Sequence, residues 1–180
     1  MDLAGAIRLR RGRDNTQGGI DMANRSIVLY FSVSSNTRAV ADMIRAQAGA
    51  DMEEIRPQTP YVTEYNALVE QAKREIRAGY RPPIAKLTHA LSDYDVIYLG
   101  TPNWWSTIAP PIATFLEEND LRGKTIAPFI THGGGGKGHA DRDLKALCPQ
   151  ARVTDMLALY GRGGMAAGRE IAAWREKNGL

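Results

Sequence analysis

The chain has 180 residues, 43% of them hydrophobic, and 23 basic against 20 acidic residues give a formal charge of +3. That length supports one sizeable core but not two, and no apolar run approaches the roughly 18–20 residues of a membrane span. The charge excess is too mild and too scattered for a nucleic-acid face, and the single cysteine, Cys148, excludes an internal disulfide and fits a reducing, cytoplasmic setting.

Residues 1–24 carry Arg8, Arg10, Arg11 and Arg13, but no apolar segment follows to make a signal peptide. They read as a disordered tail, an expression remnant or an over-extended start ahead of Met22, and residues 25–180 read as one domain. Strand one spans about Ser26–Phe31 and is followed at once by Ser32, Val33, Ser34, Ser35, Asn36 and Thr37. Helix one follows, with Val40, Ala41, Ile44 and Ala48 on one face. Five hydroxyl or amide side chains in six residues, between a strand and a helix N-terminus, suit an anion such as a phosphate. The plainer alternative is that Ser34 or Asn36 only caps the helix.

A short second strand near Met52–Ile55 runs into Pro57 and Pro60. Helix two covers about Glu64–Ala78 with Tyr65, Leu68, Val69, Ala72 and Ile76 as its core stripe, and Gly79 stops it. Asp95–Gly100 is an apolar third strand, buried on both faces. A helix over about Pro111–Glu118, a strand over Thr125–Thr131, a helix over Asp141–Leu147, a strand over Arg152–Leu159 and a helix over Ala166–Lys177 complete the chain. Pro128 is out of place in the fourth strand, because it donates nothing to a ladder. Alternating strands and helices predict a parallel sheet covered on both faces, with ligands bound beyond the C-terminal strand ends.

Two further loops fall at such ends. Thr101, Pro102, Asn103, Trp104, Trp105 and Ser106 follow the third strand, and the paired indoles either stack on a planar ligand or seal the core. Thr131, His132 and Gly133 to Gly136 follow the fourth, where glycines let backbone N–H groups approach a ligand. Gly136-Lys137-Gly138 lacks the Ser/Thr of a nucleotide-triphosphate loop. His89 and His139 have no metal-ligand spacing. Cys148 reads as a buried structural thiol.

Ser32–Thr37 resembles the Thr/Ser-x-Thr/Ser-Gly-Asn-Thr loop with which flavodoxins hold the phosphate of FMN, with Ser35 in place of the usual glycine. Gly100–Trp105, with Pro110-Pro111 and Phe115-Leu116-Glu117 beyond it, looks like the Gly-Thr-Pro-x-Trp-Trp loop of one flavodoxin branch. Thr131–Gly136 is similar to that branch's Thr-Ser-Gly-Gly-Ser-Gly, with His132 and Gly135 replacing serines. The resemblance runs in order over about residues 25–178. It implies a flavodoxin-like α/β/α sandwich with a five-stranded parallel sheet in the order 2-1-3-4-5, and non-covalent FMN as cofactor. It further implies that Ser32, Val33, Ser34, Ser35, Asn36 and Thr37 hold the phosphate. Thr101, Pro102, Asn103, Trp104 and Trp105 would flank the ring on one side, one indole facing it and the other packing inward. His132, Gly133, Gly134, Gly135 and Gly136 would approach from another, with His132 either near the flavin as imidazolium or in solvent.

On this reading the chain is an electron carrier of low potential, working with a redox partner protein or a small electron donor or acceptor, as monomer or homodimer. Two alternatives stand beside it: an NAD(P)H-dependent quinone or FMN reductase on the same fold, and a flavin-free interaction module. The weak charge favours the reductase over an acidic shuttle. A phosphoacceptor domain needs an acidic pair after strand one and an Asp after strand three, and Tyr30-Phe31-Ser32 and Gly100-Thr101 supply neither.

Overall fold

Each central strand deals its side chains alternately to two faces, and both faces are apolar. In β1 (Ser26–Tyr30) Ile27 and Leu29 enter one core cluster while Val28 and Tyr30 enter the other. In β3 (Val96–Pro102) Ile97 and Leu99 part from Val96 and Tyr98 in the same way, as do Ile126 and Ile130 from Ala127 and Phe129 in β4 (Thr125–His132). Such strands are stable only between two layers of helices. The structure, a computed structural model, describes residues 25–180, so the extension expected over residues 1–24 lies outside the described residues.

The sheet is parallel throughout. β2 (Asp51–Glu54) pairs with β1, β1 with β3 and β3 with β4, and the fifth position is shared by β5 (Arg152–Val153) and β6 (Leu157–Tyr160). The order 2-1-3-4-5 expected from the sequence is therefore present. Helices α1 (Asn36–Ala48) and α5 (Ala167–Asn178) cover one face, with Val40, Ile44, Ile171 and Trp174 packed inward. Helices α2 (Tyr65–Ala78), α3 (Pro110–Glu118) and α4 (Ala140–Leu147) cover the other. Among the described residues no helix is long and apolar enough to cross a membrane.

Two features depart from the sequence expectation. The fifth strand is not continuous over Arg152–Leu159: Thr154, Asp155 and Met156 lie opposite only Ala127 and Pro128 of β4, so one extra residue breaks the ladder. This also accounts for Pro128. The carbonyl of Ile126 accepts from Thr154 N–H and that of His132 from Gly161 N–H, so even-numbered β4 residues address the fifth position. The missing N–H of Pro128 therefore faces the interruption, where no ladder bond is lost.

The second departure is α2. Of its expected core stripe only Ala72 is buried, and Tyr65 is 74% exposed. The helix is held by local devices instead of a deep apolar face. The Glu64 carboxylate accepts from the N–H groups of Asn66 and Ala67 as an N-cap, and Tyr61 donates its hydroxyl hydrogen to Glu75.

Candidate functional site

The turn from β1 into α1 is made by Phe31 to Ser35. Ser35 is the N-cap residue and lies in the left-handed region, at φ 63° and ψ 5°, and its side chain caps no N–H. The Ser32 hydroxyl accepts from the N–H of Arg38 only at 3.4 Å. The first turn of α1 thus presents N–H groups that its own side chains barely satisfy, at the positive end of the helix dipole. Ser34 and Ser35 are exposed beside them, Asn36 is half-buried, and Val33 packs against the core. Thr37 differs: it is buried, and its hydroxyl lies 2.8 Å from that of Thr131, tying α1 to the end of β4.

A left-handed serine costs about 1 kcal/mol that glycine would not. Ser35→Gly is therefore expected to raise the melting midpoint by about 2–4 °C for a domain of this size. A thermal melt followed by circular dichroism checks this, and an unchanged or lower midpoint would show that the turn is not strained.

The second and third loops are stapled to each other. Asn103 donates from its backbone N–H to Thr131 O at 2.8 Å and from Nδ2 to Gly136 O at 2.6 Å, while its Oδ1 accepts from Ser106 N–H at 2.9 Å. Trp104 and Thr107 exchange backbone hydrogen bonds around a two-residue turn, in which Trp105 (φ 52°) and Ser106 (φ 68°) are both left-handed. Such a turn prefers Asn-Gly, so Trp-Ser here is strained and kept in place by its anchors. Gly138 packs directly on Ser106, where a Cβ would lie 2.4 Å from the Ser106 carbonyl oxygen. Thr101 is fully buried, accepting from Ala109 N–H and donating to Pro102 O, so its hydroxyl serves the protein.

The outer side of the third loop is bare. A Cβ built on Gly133, Gly134 or Gly136 would meet nothing within 4 Å, and at Gly135 it would meet only Asn103 Nδ2, at 3.7 Å. His132 Nδ1 accepts from Gly134 N–H at 3.1 Å, which places the ring donor on Nε2, and its ring stands edge-on to Tyr160. The imidazolium expected as one reading would have to give up this bond.

The two indoles have separate jobs. Trp104 is half-buried in an aromatic cluster with Phe31 and Tyr61, with ring centroids 5.4 and 5.0 Å away in edge-on arrangements. Trp105 is 48% exposed and lies against α2: its Nε1 donates to Val69 O at 3.1 Å, and Lys73 Nζ stands 4.9 Å above the ring. Tyr61 was not legible as part of this region, since it follows Pro60 in a loop with no periodic signal. Burial, then its bond to Glu75, raises its pKa and keeps the phenol protonated. Below the third loop, Asp143 accepts from Thr107 Oγ1 and shares a bond with His139 Nδ1, each at 2.6 Å. Partial burial opposes its ionisation, but bonds from Thr107, His139 and Arg142 together hold its carboxyl below the ordinary range. Cys148 is buried far from these loops, its thiol pushed up to about 11 by burial, as befits a structural thiol.

Loops one, two and three thus meet at the C-terminal ends of β1, β3 and β4, with uncapped helix donors on one side and bare glycines on the other. A family model described as flavodoxin matches residues 25–178. The chain belongs to the flavodoxin family. Among solved structures it is similar to a flavoprotein candidate from Bacteroides eggerthii, with a TM-score of 0.78 at 28% identity over 87% of this chain and 99% of that one. A second flavoprotein candidate, from Bacteroides uniformis, gives 0.75 at 26% identity over 83% and 98%. A flavoprotein from Lactobacillus acidophilus, crystallised in complex with FMN, shares the fold with a TM-score of 0.70 at 20% identity, over 84% and 99%.

The family implies FMN, and the donors present fit it. A phosphate requires several N–H or O–H donors, which the α1 N-terminus with Ser32, Ser34 and Ser35 offers. A flat ring with amide-like edges requires backbone groups unscreened by side chains, which the glycine loop of this flavodoxin-family chain offers.

Proposed function

We propose that this chain binds FMN non-covalently and passes electrons through it. The observation that carries the reading is the left-handed Ser35 N-cap, which leaves the first-turn N–H groups of α1 open at the end of β1. Bound FMN would supply the redox chemistry; the protein supplies binding, orientation and electrostatics. The first-turn N–H groups and the hydroxyls of Ser32, Ser34 and Ser35 would hold the phosphate. Asn103 fixes the spacing of the two ring-side loops, and backbone groups of Pro102, Asn103 and the glycine loop would meet the pyrimidine edge. Thr37 and Thr101 act from beneath, by locking α1 and the second loop to the sheet.

A specific observation favours the reductase as a second reading. Trp105 spends its N–H and one ring face on α2, so it is a wall of the site instead of a lid, and a second planar substrate would find access. The visible absorption spectrum after incubation with FMN and desalting tests the first claim. Retained oxidised-flavin bands support it, and a colourless protein would leave an interaction module. Photoreduction of the coloured sample, and titration with NADH or NADPH in the dark, then separate carrier from reductase.

A further inference from the structure

Near the end of β4, Thr131 touches all three loops of the site. Its hydroxyl lies 2.8 Å from that of Thr37, in the first turn of α1. Its carbonyl accepts from the N–H of Asn103 in the second loop, also at 2.8 Å. Its own chain runs on into His132 and the bare glycines of the third loop. Among the described residues no other hydrogen bond joins residues 32–38 to the second or third loop.

Both threonines are buried, Thr37 at 1% and Thr131 at 4% exposure, so neither hydroxyl is there to meet water. Stability does not account for them either. Two valines would fill nearly the same space, and replacing both partners of a buried hydrogen bond by apolar groups of like shape is close to neutral. What valines could not supply is direction, because a hydrogen bond fixes the separation and orientation of the segments it joins. Val40, Ala41 and Ile44 hold α1 to the sheet by burial, which is not directional. The second and third loops are already tied to each other through Asn103. The Thr37–Thr131 bond is therefore what sets the phosphate side of the site against its ring side.

We infer that Thr131 is a positioning residue that couples these two sides, and that the coupling makes the chain prefer FMN over riboflavin. The inference rests on the FMN reading above. FMN carries a phosphate at one end and a flat ring at the other, joined by a short chain, and riboflavin lacks only the phosphate. A two-ended ligand gains fully from its second end only when the two subsites stand at a separation that its tether spans. With the bond in place, the open N–H groups of α1 keep a fixed distance from the stapled second and third loops. Without it each subsite survives, but FMN must itself order one side against the other. Riboflavin, which engages the ring side alone, is indifferent to that ordering.

Flavin fluorescence titrations of the flavin-free full chain, with FMN and with riboflavin, test this in wild type, Thr131→Val and the double variant Thr37→Val/Thr131→Val. A thermal midpoint without flavin accompanies each. Thr131→Val should reduce the preference for FMN over riboflavin by about three- to tenfold, which is what one neutral hydrogen bond can transmit, with riboflavin affinity unchanged. It should also lower the midpoint, because the Thr37 hydroxyl is left buried without a partner. The double variant should recover most of the midpoint and still lack the preference, which separates coupling from stability. Should Thr131→Val fail to fold, the double variant carries the measurement. Equal losses for the two flavins, or a preference that returns together with the midpoint, overturn the coupling. A wild-type protein that binds FMN and riboflavin equally well also overturns it, while leaving the FMN reading intact. A wild-type protein that binds neither flavin sinks the FMN reading and the coupling with it.

Discussion

Gly100→Ala is expected to cost about 3 kcal/mol of stability, at the upper end of the range for overpacking a core. Gly100 pairs with Phe129 across the β3–β4 ladder, and the phenyl ring crosses over the glycine: a Cβ there would lie 2.2 Å from Cζ and 2.5 Å from Cε2. The ring has nowhere to go. Phe129 is fully buried on the face covered by α1 and α5. The strain must therefore move the ring, the strand or both, and losing the packing of a buried Phe outright costs about 3–5 kcal/mol. Urea unfolding of Gly100→Ala alone and in a Phe129→Leu background measures the coupling. The penalty should shrink once the ring is gone, and additive penalties would show that the collision is not the cause.

Asn103→Ala is expected to lower stability by about 2–3 kcal/mol and to weaken FMN retention by at least about tenfold. One side chain bridges Gly136 O and Ser106 N–H, so its loss leaves a carbonyl and a donor without partners. It also releases a turn with two consecutive left-handed side-chain-bearing residues, which has no intrinsic reason to persist. Flavin fluorescence titration reads the affinity, and thermal denaturation without flavin reads the stability. A variant destabilised but binding FMN normally would show that the spacing of the two loops is not set by this residue.

The strands were legible because each is a short apolar run bounded by polar or turn residues, and Val-Leu-Tyr-Phe or Val-Ile-Tyr-Leu admits little else in a chain that alternates with helical stripes. The three loops could be located because ligand loops in such sheets follow the strands. The fate of individual side chains was less accessible. The hydroxyls of Thr37 and Thr101 look alike with those of Ser32 and Ser34 in sequence, and only the fold shows that the first pair is buried and already bonded. The split of the fifth strand has a sequence trace in Pro128, but a proline reports a missing donor without saying which neighbour loses it. The stripe on α2 has proper helical spacing, yet spacing says nothing of whether a helix lies over the sheet or at its margin.

The interrupted fifth strand has a consequence for the molecule among its neighbours. A sheet's outer strand is a template on which a second polypeptide can add itself, and a long straight one invites aggregation. Here that margin consists of a two-residue and a four-residue piece offset by an extra residue, with Asp155 in the gap. At the opposite margin β2 has only four residues, and the segment through Ile84 to His89 lies beside it, tied to Arg56 O and the Glu53 carboxylate. Among the described residues the sheet thereby offers incoming strands no extended register on either side.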